Sequence, residues 1–179
     1  MSLVGLDGLI TPEVGEALVR HAGAVPEGLA IVELGSYKGM STCYLASATT
    51  NTVFAVDAWD LPNNVTGRFG FARPDTFQAF KAQTAAYPNI VVIKDYSTSA
   101  GYTWTHGPVG LLFVDADHSE KAVLADVTAW LAHLHPKATV ILDDWGTPRN
   151  PGVKQAAEKL VEVLGPYEVE ADRLAVYAP

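Results

Sequence analysis

Short apolar segments alternate with segments of helical periodicity, and this alternation limits the fold more than any other feature. Five apolar runs predict strands, at residues 30–34, 52–56, 90–93, 109–114 and 138–142. Helices are predicted at residues 11–22, 40–48, 74–87, 119–133 and 153–164, and a final antiparallel pair of strands at 167–170 and 174–177. Nearly continuous apolar strands separated by helices are typical of a parallel sheet covered on both faces. The sequence therefore predicts an α/β fold with three layers.

Composition narrows the classes of function. The chain has 179 residues, which predicts one domain over residues 1–179. Lys and Arg number 12 against 20 Asp and Glu, and this net charge of −8 argues against a nucleic-acid partner. A single cysteine, Cys43, excludes a disulfide framework and a thiolate zinc site. Because no signal peptide and no long apolar run is visible, we expect no membrane partner and a cytoplasmic location.

A strand, a glycine turn and the start of a helix follow one another in residues 30–42. Gly35 allows a sharp turn and the close approach of a ligand, and the helix beyond Gly39 begins with unpaired N–H groups. The glycine spacing fits neither the dinucleotide fingerprint nor the phosphate-binding P-loop. Asp57 ends the next strand, where an acid can accept hydrogen bonds from ribose hydroxyls. Together these features predict a site for a nucleoside-containing cofactor.

Carboxylates also end the fourth and fifth predicted strands, as Asp115 and as the pair Asp143 and Asp144. If these strands are neighbours, three carboxylates converge, and they repel one another unless protons or a cation neutralise them. Oxygen ligands of this kind suit Mg²⁺. The alternative is that aspartate is simply common at strand ends and helix caps.

Taken together, these motifs resemble the class I S-adenosylmethionine-dependent methyltransferases. The spacing Glu33-x-Gly35-x-x-x-Gly39 is similar to the first motif of that class. The acids after strands four and five resemble those of the metal-dependent O-methyltransferases that act on catechols, caffeoyl-coenzyme A and macrolide sugars. The resemblance covers residues 27–165 and implies a doubly wound, Rossmann-like sheet, mostly parallel, with an antiparallel C-terminal strand.

The resemblance implies a set of site residues and ligands. S-adenosylmethionine is expected to bind at Glu33, Gly35, Ser36, Tyr37, Gly39, Ser41, Asp57, Ala58, Trp59, Asp95, Tyr96, Ser97 and Asp115. Mg²⁺ or another divalent cation is expected on Asp115, Asp143 and Asp144, where it would orient the hydroxyl of a small-molecule acceptor. His118, three residues after Asp115, is expected to be the general base, with Asp115 as its catalytic neighbour. Residues 1–25 and the loop 58–73 are expected to cover the substrate side.

Several alternatives stay open at this stage. Methyl transfer could proceed without a metal, with the aspartate cluster partly protonated or only structural. The chain could instead be a non-catalytic module that keeps the nucleotide pocket; a nicotinamide oxidoreductase is disfavoured by the glycine spacing. The sequence leaves open the roles of Arg68, Arg73 and His106, a homodimer, and the identity of the acceptor.

Overall fold

The structure is a computed structural model that describes residue 3, residues 5–59 and residues 76–179. The helices in these residues are α1 (Pro12–Ala24), α2 (Met40–Ser47), α3 (Thr76–Thr84), α4 (Ser97–Tyr102), α5 (Glu120–Trp130) and α6 (Pro151–Leu164), with a 3₁₀ turn at Leu131–His133. The strands are β1 (Ala30–Leu34), β2 (Val53–Asp57), β3 (Ile90–Lys94), β4 (Val109–Val114), β5 (Leu134–Leu142), β6 (Glu168–Glu170) and β7 (Leu174–Tyr177).

The strands form one sheet in the order β3-β2-β1-β4-β5-β7-β6. Strands β1 to β5 pair in parallel, and β7 joins β5 and β6 in antiparallel fashion. This order confirms the predicted doubly wound sheet with an antiparallel C-terminal end. It also confirms that the fourth and fifth strands are neighbours, which brings the carboxyl ends of β1, β2, β4 and β5 to one edge of the sheet.

Alternate side chains of the central strands enter two separate cores, one on each face of the sheet. In β1, Val32 and Leu34 join the cluster that α5 and α6 cover, whereas Ile31 joins the cluster under α1. All residues of β1 and β4 are buried, which explains why these strands read as continuous apolar runs. Edge strand β3 differs, because Val91 and Val92 are each 41% exposed.

Most predicted elements are confirmed, but several of their bounds shift; α3, for example, ends at Thr84 and not at residue 87. Helix α4 was not predicted, because its six residues are too few to establish a helical period in the sequence. Strand β5 begins at Leu134 and not at residue 138, since pairing of Leu134 with Val109 extends it past Pro136. Helix α5 ends at Trp130 before a 3₁₀ turn. None of the helices in the described ranges has the length and apolarity needed to cross a membrane.

Candidate functional site

A cavity of about 780 Å³ opens at the carboxyl edge of the parallel strands, a volume in the range of small-molecule sites. The predicted site residues that line it are Gly35, Ser36, Tyr37, Ser41, Asp57, Ala58, Trp59, Tyr96, Ser97, Asp115, His118, Asp143 and Asp144. We call residues 35–37 and 57–59, at the ends of β1 and β2, the glycine-turn half. Asp115, His118, Asp143 and Asp144, which follow β4 and β5, form the carboxylate half.

Gly35 brings the two halves into contact. Its φ of +92° lies in the left-handed region, and a Cβ atom at this position would overlap the carbonyl oxygen of Asp115. The backbone nitrogen of Asp115 in turn donates to the carbonyl of Leu34 at 2.8 Å. A residue with a side chain at position 35 would therefore push the end of β1 away from the end of β4.

Backbone donors hold the carboxylate of Asp57 in one orientation. Its Oδ2 accepts from the Tyr37 nitrogen at 2.8 Å, and its Oδ1 accepts from the Trp59 nitrogen at 2.7 Å. The indole Nε1 of Trp59 closes the arrangement by donating to the Tyr37 carbonyl at 2.8 Å. Burial raises the pKa of Asp57, while the backbone hydrogen bonds oppose that rise. These contacts fix the carboxylate of Asp57 in the lining of the cavity.

Two buried polar side chains, those of Glu33 and Ser36, lie beneath the glycine turn. In the described part of the chain, Ser36 Oγ and Glu33 Oε1 make no hydrogen bond of normal geometry. The other carboxylate oxygen of Glu33 accepts from Thr42 Oγ1. Burial raises the pKa of Glu33, and interactions with the side chains of Ser41, Thr42 and Ser36 oppose that rise, so the buried polar groups under the turn interact with one another. Glu33 itself lies below the cavity wall and not in its lining.

The wall next to the glycine-turn half is the start of α4. Ser97 donates its hydroxyl to the buried carboxyl group of Asp126, and its carbonyl accepts from Trp130 Nε1 at 3.0 Å. Burial raises the pKa of Asp126 to about 6; the hydrogen bond from Ser97 opposes the rise and the charge of Asp117 adds to it. Tyr96, at 38% exposed, borders the cavity. These contacts fix the position of Ser97 in the wall.

In the carboxylate half, the three predicted carboxylates converge around His118. Nε2 of His118 lies 3.1 Å from Asp115 Oδ1 and 3.7 Å from Asp144 Oδ2. Asn150 donates its side-chain amide to the same Asp144 oxygen. Gly152, in the first turn of α6, permits this packing, because a Cβ there would collide with the backbone of residues 118–120.

Burial and nearby charges shift the pKa values of Asp115 and His118. Burial, followed by the nearby charge of Asp143, raises the pKa of Asp115 to about 8, against the opposing hydrogen bond to His118. Burial alone would lower the pKa of His118. The hydrogen bond to Asp115 and the surrounding carboxylates outweigh that effect, so the pKa of His118 is raised.

Arg173, which the sequence motifs did not single out, lies among the predicted metal ligands. Its Nε and Nη2 donate to the two oxygens of Asp143 at 2.9 and 2.5 Å, and Nη2 also lies 2.5 Å from Asp144 Oδ1. This arrangement does not fit a bound Mg²⁺, since oxygens that would have to face the ion already face the guanidinium. Among the described residues, no group of three or more His, Cys, Asp and Glu side chains is arranged to hold a metal.

The remaining predicted residues lie elsewhere. Gly39, with a left-handed φ of +87°, is the N-cap of α2 behind the cavity wall. Asp95 accepts from the Tyr96 nitrogen and from Ser99 Oγ, so it faces the start of α4. His106 packs against the rings of Phe54 and Trp104 and does not line the cavity. Arg68, Arg73 and most of the loop 58–73 lie outside the described residues.

Further residues line the cavity without having been predicted. They are Gly8, Leu9, Ile10, Lys38, Met40, Val56, Thr76, Ala116, Asp117, Thr147, Arg149, Asn150 and Arg173. Those at 8–10 belong to the N-terminal segment that was expected to cover the substrate side. Five others lie within the sequence motifs beside residues that were predicted: Lys38, Met40, Val56, Ala116 and Asp117. The rest lie outside those motifs, so the sequence carried no local signal for them.

Solved structures of low sequence identity share this fold. The O-methyltransferase NovP matches with a TM-score of 0.73 at 14% identity, over 93% of this chain and 79% of that one. Cofactor-bound Rv0187 from MTB matches with a TM-score of 0.72 at 18% identity, over 95% and 81% of the two chains. The calicheamicin methyltransferase CalS11 matches with a TM-score of 0.68 at 17% identity, over 92% and 77%.

The sheet order and the cavity at its carboxyl edge, together with this likeness, define a class I methyltransferase fold. The family model described as "Methyltransferase domain" matches residues 32–145, which include both halves of the cavity. The chain therefore belongs to this methyltransferase family, and it is an S-adenosylmethionine-dependent methyltransferase.

Proposed function

We propose that the chain transfers a methyl group to a hydroxyl of a small molecule, with the cofactor in the glycine-turn half and the acceptor in the carboxylate half. The observation that carries this proposal is the placement of His118 in the same cavity as Asp57 and the glycine turn. NovP, an O-methyltransferase by its description, has a similar fold and adds support. S-adenosylmethionine supplies an electrophilic methyl group when it is bound.

The glycine-turn half fits that cofactor by its donor set. Asp57 presents an oriented carboxylate to ribose hydroxyls, and Ser36 supplies a buried hydroxyl at the glycine turn. Gly35 leaves the backbone open to close approach. Tyr96 and Ser97 border the cavity on the side where a base would extend.

His118 is the proposed general base. When Nε2–H donates to Asp115, the lone pair of the imidazole is at Nδ1, and this atom takes the proton of the acceptor hydroxyl. The carboxylates around the ring stabilise the imidazolium that forms, in keeping with the raised pKa of His118. Asp115 acts by holding the ring, and a fixed ring saves the orientation cost of proton transfer.

The magnesium ion predicted from the sequence does not enter this proposal. Asp143 and Asp144 are engaged by Arg173, and Asp144 also by Asn150, so we favour the metal-free version of the reaction. No step above depends on a divalent cation.

The test is an assay with S-adenosylmethionine and a panel of hydroxylated, aminated and thiol-containing small molecules. We expect formation of S-adenosylhomocysteine together with a product whose NMR spectrum contains a new O-methyl resonance. Methylation confined to nitrogen, sulfur or carbon would overturn the hydroxyl assignment. Tight cofactor binding without turnover on the whole panel would favour the non-catalytic module.

A further inference from the structure

Arg173 is held in place by a hairpin whose turn has an unusual backbone. The two residues before it, Ala171 and Asp172, have φ values of +49° and +56°, and the Arg173 nitrogen donates to the Glu170 carbonyl at 3.1 Å. Two successive left-handed residues are typical of a type I′ turn, which normally selects glycine or asparagine. Alanine therefore adopts a conformation here that L-residues disfavour.

The backbone of Arg173 is also tied to the carboxylate half. Its carbonyl accepts from the Trp145 nitrogen at 2.8 Å, directly after Asp143 and Asp144. Both backbone groups of Arg173 are thus engaged, one in the turn and one in the segment after β5. These two backbone hydrogen bonds position Arg173 in the cavity wall.

The side chain meets two carboxylates in a fork-like geometry. Nε and Nη2 bind the two oxygens of Asp143, whose side chain is 1% exposed, and Nη2 bridges to Asp144. The planar guanidinium suits two-point binding of a carboxylate and stays charged at all ordinary pH values. Asp144 in turn has its second oxygen 3.7 Å from His118 Nε2. A chain of contacts therefore leads from Arg173 through Asp144 to the proposed base.

We propose that Arg173 is a positioning residue that takes the place of a divalent cation in this site, so that Asp143, Asp144 and His118 are held for methyl transfer without a bound metal. The inference rests on the proposed function for its catalytic consequence. The guanidinium lies between the carboxylates of Asp143 and Asp144. This position does not depend on which acceptor the enzyme uses.

The coordination chemistry supports this exchange of one cation for another. Mg²⁺ demands oxygen ligands in a nearly octahedral shell at about 2.0–2.1 Å. Both oxygens of Asp143 already accept hydrogen bonds from Arg173, so an Mg²⁺ ion bound to either oxygen would lie next to the positive guanidinium. In the structure the charge of Asp143 is already met by a guanidinium, which needs no open coordination position.

The first experiment is a calorimetric titration with Mn²⁺ as the probe, and it needs no acceptor. We expect no saturable Mn²⁺ site in the wild-type chain, and in Arg173→Ala binding at least about tenfold tighter than in the wild type, because the carboxylates of Asp143 and Asp144 then lose the cation between them. Adding Asp143→Asn to that variant should abolish the gain. Arg20→Ala is the matched control: it removes an arginine that binds Glu170 of the same hairpin at 2.6 Å outside the cavity, and it should gain nothing.

Two results would overturn the proposal. One is stoichiometric Mn²⁺ binding by the wild-type chain that Mg²⁺ competes away; the other is a folded Arg173→Ala variant with no gain in Mn²⁺ affinity. If Arg173→Ala does not fold, Arg173→Lys serves in its place, since it keeps the positive charge and loses the two-point contact with Asp143. We expect this variant to bind no Mn²⁺. Its KM should rise by a smaller factor than its kcat falls. An unchanged kcat in folded Arg173→Lys would then remove the positioning role.

The second experiment separates this inference from the proposed function. Wild-type turnover on an identified acceptor should be unchanged by exhaustive chelation with EDTA, whereas turnover of Arg173→Ala should be low and should rise when Mn²⁺ is added. Loss of wild-type turnover in EDTA, with recovery on adding Mg²⁺, would overturn the metal-free site while leaving methyl transfer intact. Absence of turnover on every acceptor would count against the proposed function alone. The Mn²⁺ titration would still test whether Arg173 takes the place of a divalent cation.

Discussion

The glycine-turn half and the carboxylate half of the cavity satisfy their acidic groups in different ways. In the glycine-turn half, both oxygens of Asp57 accept hydrogen bonds from the backbone nitrogens of residues 37 and 59. The main chain near the ends of β1 and β2 therefore stabilises this carboxylate. In the carboxylate half, Asp143 depends on the side chain of Arg173, thirty positions further along the chain. Backbone donors tolerate side-chain replacement, whereas a side-chain cation can be removed by one substitution.

This difference suggests that the two halves will respond differently to mutation. Substitutions in the glycine-turn half should change ligand affinity while the fold persists. Substitutions in the carboxylate half should change both turnover and stability, because charges there are compensated by other side chains.

The largest effect is expected for His118→Ala, which removes the proposed base from the carboxylate half. Turnover should fall by about 10²–10⁴-fold, the usual contribution of a general base, while affinity for S-adenosylhomocysteine stays nearly the same. His21→Ala is the control, because His21 binds Glu170 away from the cavity at 3.1 Å. Single-turnover kinetics and calorimetry would measure the two quantities, and unchanged turnover in His118→Ala would remove the base assignment.

Next in size is the cost of breaking the buried ion pair. Asp143→Ala should lower the free energy of unfolding by about 3–5 kcal/mol, since it leaves Arg173 without its principal partner in a largely buried place. Arg20→Ala breaks an exposed pair and should cost about 0–1 kcal/mol. Urea denaturation of both variants measures the contrast. Equal losses of unfolding free energy would mean that the buried pair of Arg173 and Asp143 stabilises the fold no more than the exposed pair of Arg20 and Glu170.

The pH dependence of stability tests Asp126, which binds a hydroxyl of the α4 wall and not a cation. Its pKa of about 6 in the folded chain exceeds the ordinary value of 3.8, so the folded state binds the extra proton between these values. The contribution is present at low pH and is lost as the pH rises from about 4 to 6, with a total of up to about 3 kcal/mol.

Asp126→Asn should remove this loss, so that its stability relative to the wild type rises across the same pH window. Glu158→Gln, which alters an exposed carboxylate on α6, should leave the wild-type slope unchanged. Denaturation curves at several pH values would measure the difference. Parallel pH profiles of Asp126→Asn and the wild type would contradict the raised pKa.

The smallest predicted effect belongs to the glycine-turn half. Asp57→Ala should weaken S-adenosylhomocysteine binding by about 1.5–3 kcal/mol, because hydrogen bonds to a charged group are lost. Asp95→Ala should weaken it less, since Asp95 binds Tyr96 and Ser99 at the start of α4 and does not line the cavity. Calorimetric titration measures both affinities. If Asp95→Ala has the larger effect, the ribose assignment passes from Asp57 to the α4 side.

Much of the fold could be predicted because each central strand is buried on both faces. Complete burial forces an apolar run such as Ala30–Leu34, and the acid or glycine that ends a run indicates the edge of the sheet. Local sequence also indicates the glycine turn, because the left-handed φ of Gly35 favours glycine at that position. These are constraints within a few residues, and they can be read along the chain.

Only the tertiary structure determined which group neutralises the negative charge of the carboxylates. The sequence predicted that Asp115, Asp143 and Asp144 would converge and repel one another unless protons or a cation neutralised them, but repulsion among carboxylates does not say which of these does so. Arg173 reaches Asp143 because β7 pairs with β5 in antiparallel fashion and the turn at 171–172 places the next residue at the cavity. Strand pairing across the sheet fixes that distance, and no spacing along the chain encodes it.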